Sequence, residues 1–340
     1  MIDEEIDMPK NENFGIGVLG VGHYIPSIKI SNDEIERKTG MPAATIVEKT
    51  GIRSRYIAKE TEAASQMSVF AASVAINMAQ VLPEQLGQVI CCSFSGDYVY
   101  PAMACKVQNL LGAKKAGAFD VMANCTGFQV GLNVLSDRMY CDPSVKYGLV
   151  IGTALQSRYI QWDKPELAMY FGDGAGAAVL GKVPAGYGIL ANEIFTNGKV
   201  YDAVRLRGGG SSFPMRPDNI QQGLQYYEMD GMEVWKQVVQ FQPKVIRQVL
   251  AKIGKTTDDV DFFIFHQANL RLIEYLMAKM KQPLSKTYTN MEMYGNTADA
   301  SLAIALSEAV RGGLVKRDHL VVISGVGAGF TFGATAVRWY

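Results

Sequence analysis

Short apolar runs rich in β-branched residues and bounded by glycine recur along this chain: GQVICCSFSG, YGLVIGT, AGAAVLG, VDFFIFHQ and HLVVISG. Between them lie longer stretches with helical spacing of apolar positions, such as MSVFAASVAINMAQVL and MEVWKQVVQFQPKVIRQVLAKI. Short continuous apolar runs mark strands buried on both faces, and their alternation with amphipathic helices predicts an α/β fold. One region, about residues 197 to 223, breaks the pattern. Its RLRGGGSSFPMRPD reads as a polar, flexible seam between two halves.

The order of parts repeats. After the strand QVICCSFSG come a helical run, GAFDVMANCTGFQVGLNVL, the strand YGLVIGT and FGDGAGAAVLG. After VDFFIFHQA come NLRLIEYLMAKM, TNMEMYGNTADASLAIALSEAV, HLVVISG and FTFGATAVRW. Phe94 and Cys125 are 31 residues apart, and His266 and Asn296 are 30 apart. The duplication predicts two similar halves, residues 14–185 and 186–340, packed around a pseudo-dyad. It also sets Asn296 where Cys125 stands in the other half.

Composition narrows the class. At 340 residues, 48% hydrophobic and 19% charged, the chain can bury one large core or two fused ones. Thirty-three basic residues balance 33 acidic ones, and no basic run interleaves with aromatics. That argues against nucleic acid and for small molecules or proteins as partners. No apolar stretch approaches the roughly 20 residues of a membrane span, and the opening MIDEEIDMPKNENF lacks the layout of a signal peptide. A cytoplasmic protein is expected.

Five cysteines, Cys91, Cys92, Cys105, Cys125 and Cys141, are an odd number without metal-site spacing. No disulfide framework, metal or cofactor is expected. All but Cys125 read as small packed residues of a reduced protein. Cys125 sits where an extended run meets Asn124, Thr126 and Gly127 before helical spacing resumes. Its thiol is expected at a helix N-terminus, where unpaired N–H groups and the helix dipole favour thiolate; the competing reading is a buried free cysteine. His266 ends the strand DFFIFHQAN, a common position for active-site groups in α/β proteins, and the alternative is a packed imidazole. His23 follows a glycine-rich turn and His319 lies in the charged turn VKRDHL, so both are weaker candidates. Asn296, in MYGNTADASLAIAL, reads locally as a helix N-cap. The glycine-rich FGDGAGA (171 to 177) and GVGAGFTFG (325 to 333) match no nucleotide-binding fingerprint. GVGAGF could instead supply a backbone N–H to an oxyanion hole.

Taken in order, TGIRSRYI, ANCTGF, FGDGAGA, HQAN, YGNTADAS and GVGAGFTFGA resemble the β-ketoacyl-acyl carrier protein synthase III family of thiolase-fold condensing enzymes, from about residue 14 to 340. The resemblance implies a five-layered αβαβα architecture, a homodimer, and acyl-coenzyme A and acyl carrier protein substrates. It implies Cys125 as the acyl-accepting nucleophile, His266 and Asn296 as hydrogen-bond donors for the second half-reaction, and the N–H groups of Cys125 and Ala328 as the oxyanion hole. Tyr100, reaching over from the partner subunit, and Phe171 are implied for the acyl pocket, and Lys49, Asn269 and Arg271 for carrier or coenzyme A binding.

Departures from the family pattern bear on the donor. A tryptophan and an arginine usually precede TGIR to hold coenzyme A; here Thr45 and Lys49 stand there. WDKPELAMY carries no arginine before FGDGAGA, and Met232 replaces a polar residue, although Arg271 matches. Lysine cannot reproduce the planar fork of arginine. The expectation is therefore a specialised ketosynthase, fed by a carrier protein, in lipid or polyketide biosynthesis. Competing readings are fatty-acid initiation from acetyl-coenzyme A, non-decarboxylative acyl transfer to an alcohol or amine, and an idle partner subunit.

Overall fold

The computed structural model describes residues 13–340. Most of the opening segment, and the signal-peptide reading made of it, lies outside the described residues. The N-terminal part supplies β1 (Phe14–Tyr24), β2 (Ile28–Ser31), β3 (Ser54–Ile57), β4 (Leu86–Cys92), β5 (Gly117–Val121), β6 (Tyr147–Ala154) and β7 (Gly174–Pro184). Its helices are α1 (Asn32–Thr39), α2 (Ala43–Thr50), α3 (Ala64–Ala79), α4 (Met103–Leu111), α5 (Gly127–Cys141) and the one-turn α6 (Pro165–Ala168). The remainder supplies β8 (Gly188–Thr196), β9 (Val204–Leu206), β10 (Tyr227–Met229), β11 (Phe262–Phe265), β12 (Leu320–Gly327) and β13 (Thr331–Arg338). Its helices are α7 (Gly231–Ala251), α8 (Leu270–Lys279), α9 (Met291–Tyr294) and α10 (Ser301–Arg311).

Two sheets carry the architecture. One runs β1-β7-β6-β4-β5, with β4 parallel to β5 and β6; the other runs β11-β12-β13-β8, with β11 parallel to β12. Both faces of each sheet are covered, which is why the strands read as continuous apolar runs. Along β4, Ile90 and Cys92 face a central layer while Val89 and Cys91 face α3 and α4. Along β11, Phe262 and Ile264 face the same central layer while Phe263 and Phe265 face α7 and α8. The central layer is α5 and α10, through Phe128, Leu132, Leu135, Leu302, Ala305 and Leu306. The order α, β, α, β, α is the five-layered arrangement the resemblance implied.

Small residues let the central helices approach the sheets. A Cβ on Gly152 of β6 would lie 2.2 Å from the Asp299 carbonyl, so this strand tolerates only glycine beneath the start of α10. The two central helices begin alike. A 3-10 turn, Asn124–Thr126, leads into α5, and another, Ala298–Ala300, leads into α10. Each turn opens on a non-glycine residue at positive φ, Asn124 at 49° and Ala298 at 39°.

That likeness corrects the register of the duplication. Cys125 stands two residues before Gly127, the first of α5, and Asp299 stands two residues before Ser301, the first of α10. Asp299, rather than Asn296, is the counterpart of Cys125. Counting along the chain matched the wrong residue because the second half carries two more residues between its strand end and its turn, 33 from His266 to Asp299 against 31 from Phe94 to Cys125. Nor is Asn296 the N-cap of α10: its Oδ1 accepts the Ala298 N–H at 2.9 Å, one turn earlier, and Ala300 occupies the cap without a side-chain bond. Cys91 and Cys92 are buried as expected, whereas Cys105 on α4 and Cys141 at the end of α5 are exposed, because the outer faces of those helices turn to solvent.

Candidate active site

Cys125 is placed by backbone packing more than by its own side chain. A Cβ on Gly327, the last residue of β12, would sit 2.3 Å from the Ala123 carbonyl and 3.3 Å from the Cys125 nitrogen. Only glycine permits that approach, and it brings Ala328 beside the Cys125 turn. Asn124 Nδ2 donates to the Ala328 carbonyl at 3.0 Å and ties the two segments together. Behind them, Gln129 Nε2 donates to Thr335 Oγ1 at 2.7 Å, and Thr335 Oγ1 bonds Asn133 Oδ1 at 2.9 Å. This buried chain fastens α5 to β13.

The structure overturns one electrostatic expectation. Cys125 does stand in the turn leading to a helix N-terminus, yet burial pushes its thiol well above the ordinary range, the Asp299 carboxyl adds to the shift, and only its own backbone N–H opposes it. Desolvation of an anion outweighs the helix-end field here. Cys125 rests as a thiol.

His266 follows β11, its N–H donating to the Ser324 carbonyl of β12 at 3.1 Å. Its Nδ1 lies 2.5 Å from Ser301 Oγ at the start of α10, and the Gln267 N–H also reaches that oxygen, at 3.4 Å. With Gln267 donating to Ser301 Oγ, the serine proton is free to go to Nδ1, which leaves Nε2 carrying the ring proton. Burial lowers His266 to about 4, so the imidazole is neutral at pH 7 and, with Ser301 donating to Nδ1, presents Nε2–H as a donor.

Asn296 is held at both backbone ends: its N–H donates to the Tyr170 carbonyl at 2.8 Å, and its carbonyl accepts from Gly172 at 3.0 Å and Gln156 Nε2 at 2.6 Å. A β-bridge joins it to Phe171. Because Oδ1 takes the Ala298 N–H, the amide is oriented with its Nδ2 donors outward from that turn. The Cys125 turn, the imidazole and the carboxamide meet around the two 3-10 turns: His266 through Ser301, Asn296 through Ala298, and Cys125 through Gly127, whose Cβ position is 3.3 Å from Asp299 Oδ1.

Phe171 is buried and stacks on Tyr227, ring centroids 5.2 Å apart, while Phe94 meets Tyr227 edge-on at 5.7 Å. Tyr227 comes from β10, paired with β9 in an arm that spans the region read from sequence as a polar seam. The only signal for it was the aromatic pair Tyr226-Tyr227 among polar residues. A recess of about 600 Å³ beside this arm, lined by Tyr201, Glu228 and Glu233 among others, contains none of the predicted residues. Tyr100 is 88% exposed at the tip of the loop between β4 and α4, with Tyr98 and Val99 beside it. It does not pack into this chain.

Lys49, Asn269 and Arg271 form a cluster where α2 meets α8. Asn269 caps α8 by accepting the Arg271 N–H at 2.8 Å and donates to the Lys49 carbonyl at 3.2 Å. Arg271 bonds the Glu48 carbonyl at 3.0 Å and forms a 2.9 Å ion pair with Glu274. The Lys49 side chain is exposed. Among the other histidines, His23 packs on Ser307 at 2.9 Å, and His319 Nδ1 accepts the Lys316 N–H at 3.3 Å. Asp173 of FGDGAGA braces Ala58 and Ser157 from a buried position. No group of three or more histidine, cysteine or acidic residues could hold a metal among the described residues, and no described helix is long and apolar enough to cross a membrane.

Comparison with known proteins agrees with this architecture. Residues 119–198 match the family model described as 3-oxoacyl-[acyl-carrier-protein] synthase III, and residues 250–339 match the model of its C-terminal part. The β-ketoacyl-[acyl-carrier-protein] synthase III of Caldanaerobacter subterraneus is 36% identical over 96% of this chain and 99% of its own length. The crystal structure of 3-oxoacyl-[acyl-carrier-protein] synthase III from Aquifex aeolicus superposes with a TM-score of 0.88 at 34% identity, covering 96% of this chain and all of that one. The priming β-ketosynthase of the R1128 polyketide pathway gives 0.88 at 29% identity over 98% of each chain. The chain therefore belongs to the β-ketoacyl-acyl carrier protein synthase III family, thiolase-fold ketosynthases that transfer and condense acyl groups.

Proposed function

We propose that this enzyme loads an acyl group onto Cys125 and condenses it with a malonyl-type or β-keto thioester held on an acyl carrier protein. The observation that carries the reading is the pair of uncharged donors, His266 Nε2–H and Asn296 Nδ2, set around the same turns as Cys125. In loading, Sγ attacks the thioester carbonyl, the N–H groups of Cys125 and Ala328 hold the oxyanion, and the carrier thiol departs. In condensation, loss of carbon dioxide from a malonyl thioester leaves an enolate. Its oxygen accepts from His266 and Asn296 while its carbon takes the acyl group from Cys125, which regains its thiol. A carboxylate at position 296 would repel the enolate, so a neutral amide favours carbon-carbon bond formation.

Phe171, with Phe94 and Tyr227, would wall the acyl pocket, and Tyr100 would enter it from a second copy. The exposed tip Tyr98 to Tyr100 and the outer edge of β5, unpaired among the described residues, support a homodimer. Carrier-bound substrates place the work in the cytoplasm.

A specialised, carrier-fed role is supported by the entrance. Thr45 and Lys49 on α2 offer neither an aromatic face nor a guanidinium, and Arg271 is engaged by Glu274 and Glu48. One absent stacking or bidentate contact is worth about 1–3 kcal/mol, or roughly ten- to hundredfold in kcat/KM. Single-turnover loading, read by intact mass, should favour an acyl carrier protein over the same acyl group on coenzyme A. Thr45→Trp with Lys49→Arg should raise loading from coenzyme A alone. A strong preference of the unaltered enzyme for acetyl-coenzyme A would make fatty-acid initiation the better account, and no adduct with any thioester would defeat the enzymatic reading.

A further inference from the structure

One buried titratable group takes no part in loading or condensation as described. Asp299 is fully buried, and among the described residues no close hydrogen-bond partner reaches either carboxyl oxygen. Its Oδ1 lies 3.3 Å from the Cβ position of Gly127, the residue that starts α5, and that same position is 3.1 Å from Cys92 Cβ. The carboxyl is thus wedged between β4 and the N-terminal turn that carries Cys125. The titratable groups facing it are Cys92 on β4, Cys125 in its turn and Tyr227 on β10, none of them a cation. A buried acid with no cation beside it keeps its proton. Burial pushes Asp299 up to about 8, against the opposing effect of its own backbone N–H and that of Phe94.

We propose that Asp299 is a positioning residue for the loading step: as a neutral acid it lets Cys125 be acylated, and as a carboxylate it suppresses acylation. The proposal rests on Cys125 being the acylated residue. During loading the bond from Sγ to the acyl carbon forms, the carrier's carbon-sulfur bond breaks, and the proton given up by Cys125 leaves on the carrier sulfur. Negative charge passes through Sγ and the carbonyl oxygen on the way. Asp299 exchanges no proton in this sequence. It acts through its charge, which opposes both anionic centres in a site where solvent screens little.

The test is the pH profile of single-turnover loading between pH 6 and 9.5, with the adduct located by peptide mapping. With Asp299 titrating at about 8, the unaltered enzyme should lose about fivefold in rate from pH 8 to pH 9, and Asp299→Asn and Asp299→Ala should lose that alkaline decline. The same decline in both folded variants overturns the proposal. So does loss of loading at every pH in folded Asp299→Asn, which would make the carboxyl a proton acceptor. A second measurement needs no variant: alkylation of Cys125 by iodoacetamide should rise much less than tenfold per pH unit between 8 and 9, because ionisation of Asp299 offsets the gain in thiolate. A full tenfold rise also overturns it. An adduct on another cysteine defeats the functional reading and this proposal together, whereas an adduct on Cys125 with an unaltered profile defeats this proposal alone.

Discussion

The turns Asn124–Thr126 and Ala298–Ala300 have the same shape and the same place before a buried helix, yet one presents a thiol and the other a carboxyl. Both residues are strongly perturbed in the same direction, because each would become an anion in a poorly solvated place, Asp299 fully buried and Cys125 partly so. The fold offers two equivalent helix starts facing one another, and the chemistry requires only one nucleophile. In the second half, Asn296 sits three residues ahead of Asp299, in a bridge to Phe171, where its amide is aimed by the backbone.

The largest effect that tests this asymmetry is removal of the thiol. Cys125→Ala should abolish covalent loading, seen as no acyl adduct by intact mass under conditions that fully load the unaltered enzyme. Its thermal stability should change little, since the substitution removes one small group beside a partly exposed site. Mapping the adduct of the unaltered enzyme to Cys91, Cys92, Cys105 or Cys141 would break the comparison at its root.

Next in size is the division of labour between halves. His266→Ala or Asn296→Ala should slow condensation by roughly 10²–10³-fold, the scale of losing one preorganised donor, while loading falls by less than about tenfold. Measuring both half-reactions separately decides the matter, and equal losses would mean that the second half serves both steps.

Much of this is legible in the pattern of residues alone. Apolar runs broken by glycine mark the buried strands, and the three polar residues stand out where those runs meet small-residue helices. Register is what the pattern misleads on. Phe94 to Cys125 and His266 to Asn296 differ by a single residue in spacing, so counting alone pairs Cys125 with Asn296, and only the positive φ of Asn124 and Ala298 shows that the turns align on Asp299. The acid is visible in GNTADAS as a lone charge among small residues, but a sequence does not reveal whether such a charge is buried or finds a partner. Tyr227 is hidden for another reason. It lies in a polar arm whose two short strands have no periodicity long enough to read.

The buried pair of titratable groups also sets stability against pH, with opposite signs. Asp299 holds its proton in the folded chain up to about 8 and releases it near pH 4 when unfolded. The folded state thus binds more protons between those values, and stability falls as pH rises from about 4 to 8, by on the order of 5 kcal/mol. Asp299→Asn should remove that slope and raise the urea midpoint most at pH 8. His266 runs the other way. Its folded value of about 4 lies below the unfolded 6.5, so stability falls as pH drops through that window, by about 3 kcal/mol, and His266→Gln should flatten the acid limb. Urea titrations of the three proteins from pH 4 to 8 separate the two contributions.

The smallest predicted effect concerns the first residue of each central helix, Gly127 in α5 and Ser301 in α10. Gly127 must lack a side chain because a Cβ there would crowd Cys92 and Asp299, whereas Ser301 spends its hydroxyl on His266 Nδ1. Ser301→Ala removes the bond that fixes the imidazole tautomer but leaves its burial, so the ring stays neutral and only the fraction presenting Nε2–H declines. A neutral hydrogen bond contributes about 1 kcal/mol net, which corresponds to roughly fivefold in rate. Condensation should slow by about that factor with loading unchanged, and Ser301→Thr, which restores a hydroxyl at the same place, should recover most of it. If Ser301→Ala slowed both half-reactions equally and Thr gave no recovery, the hydroxyl would be serving the packing of α10 rather than the orientation of His266.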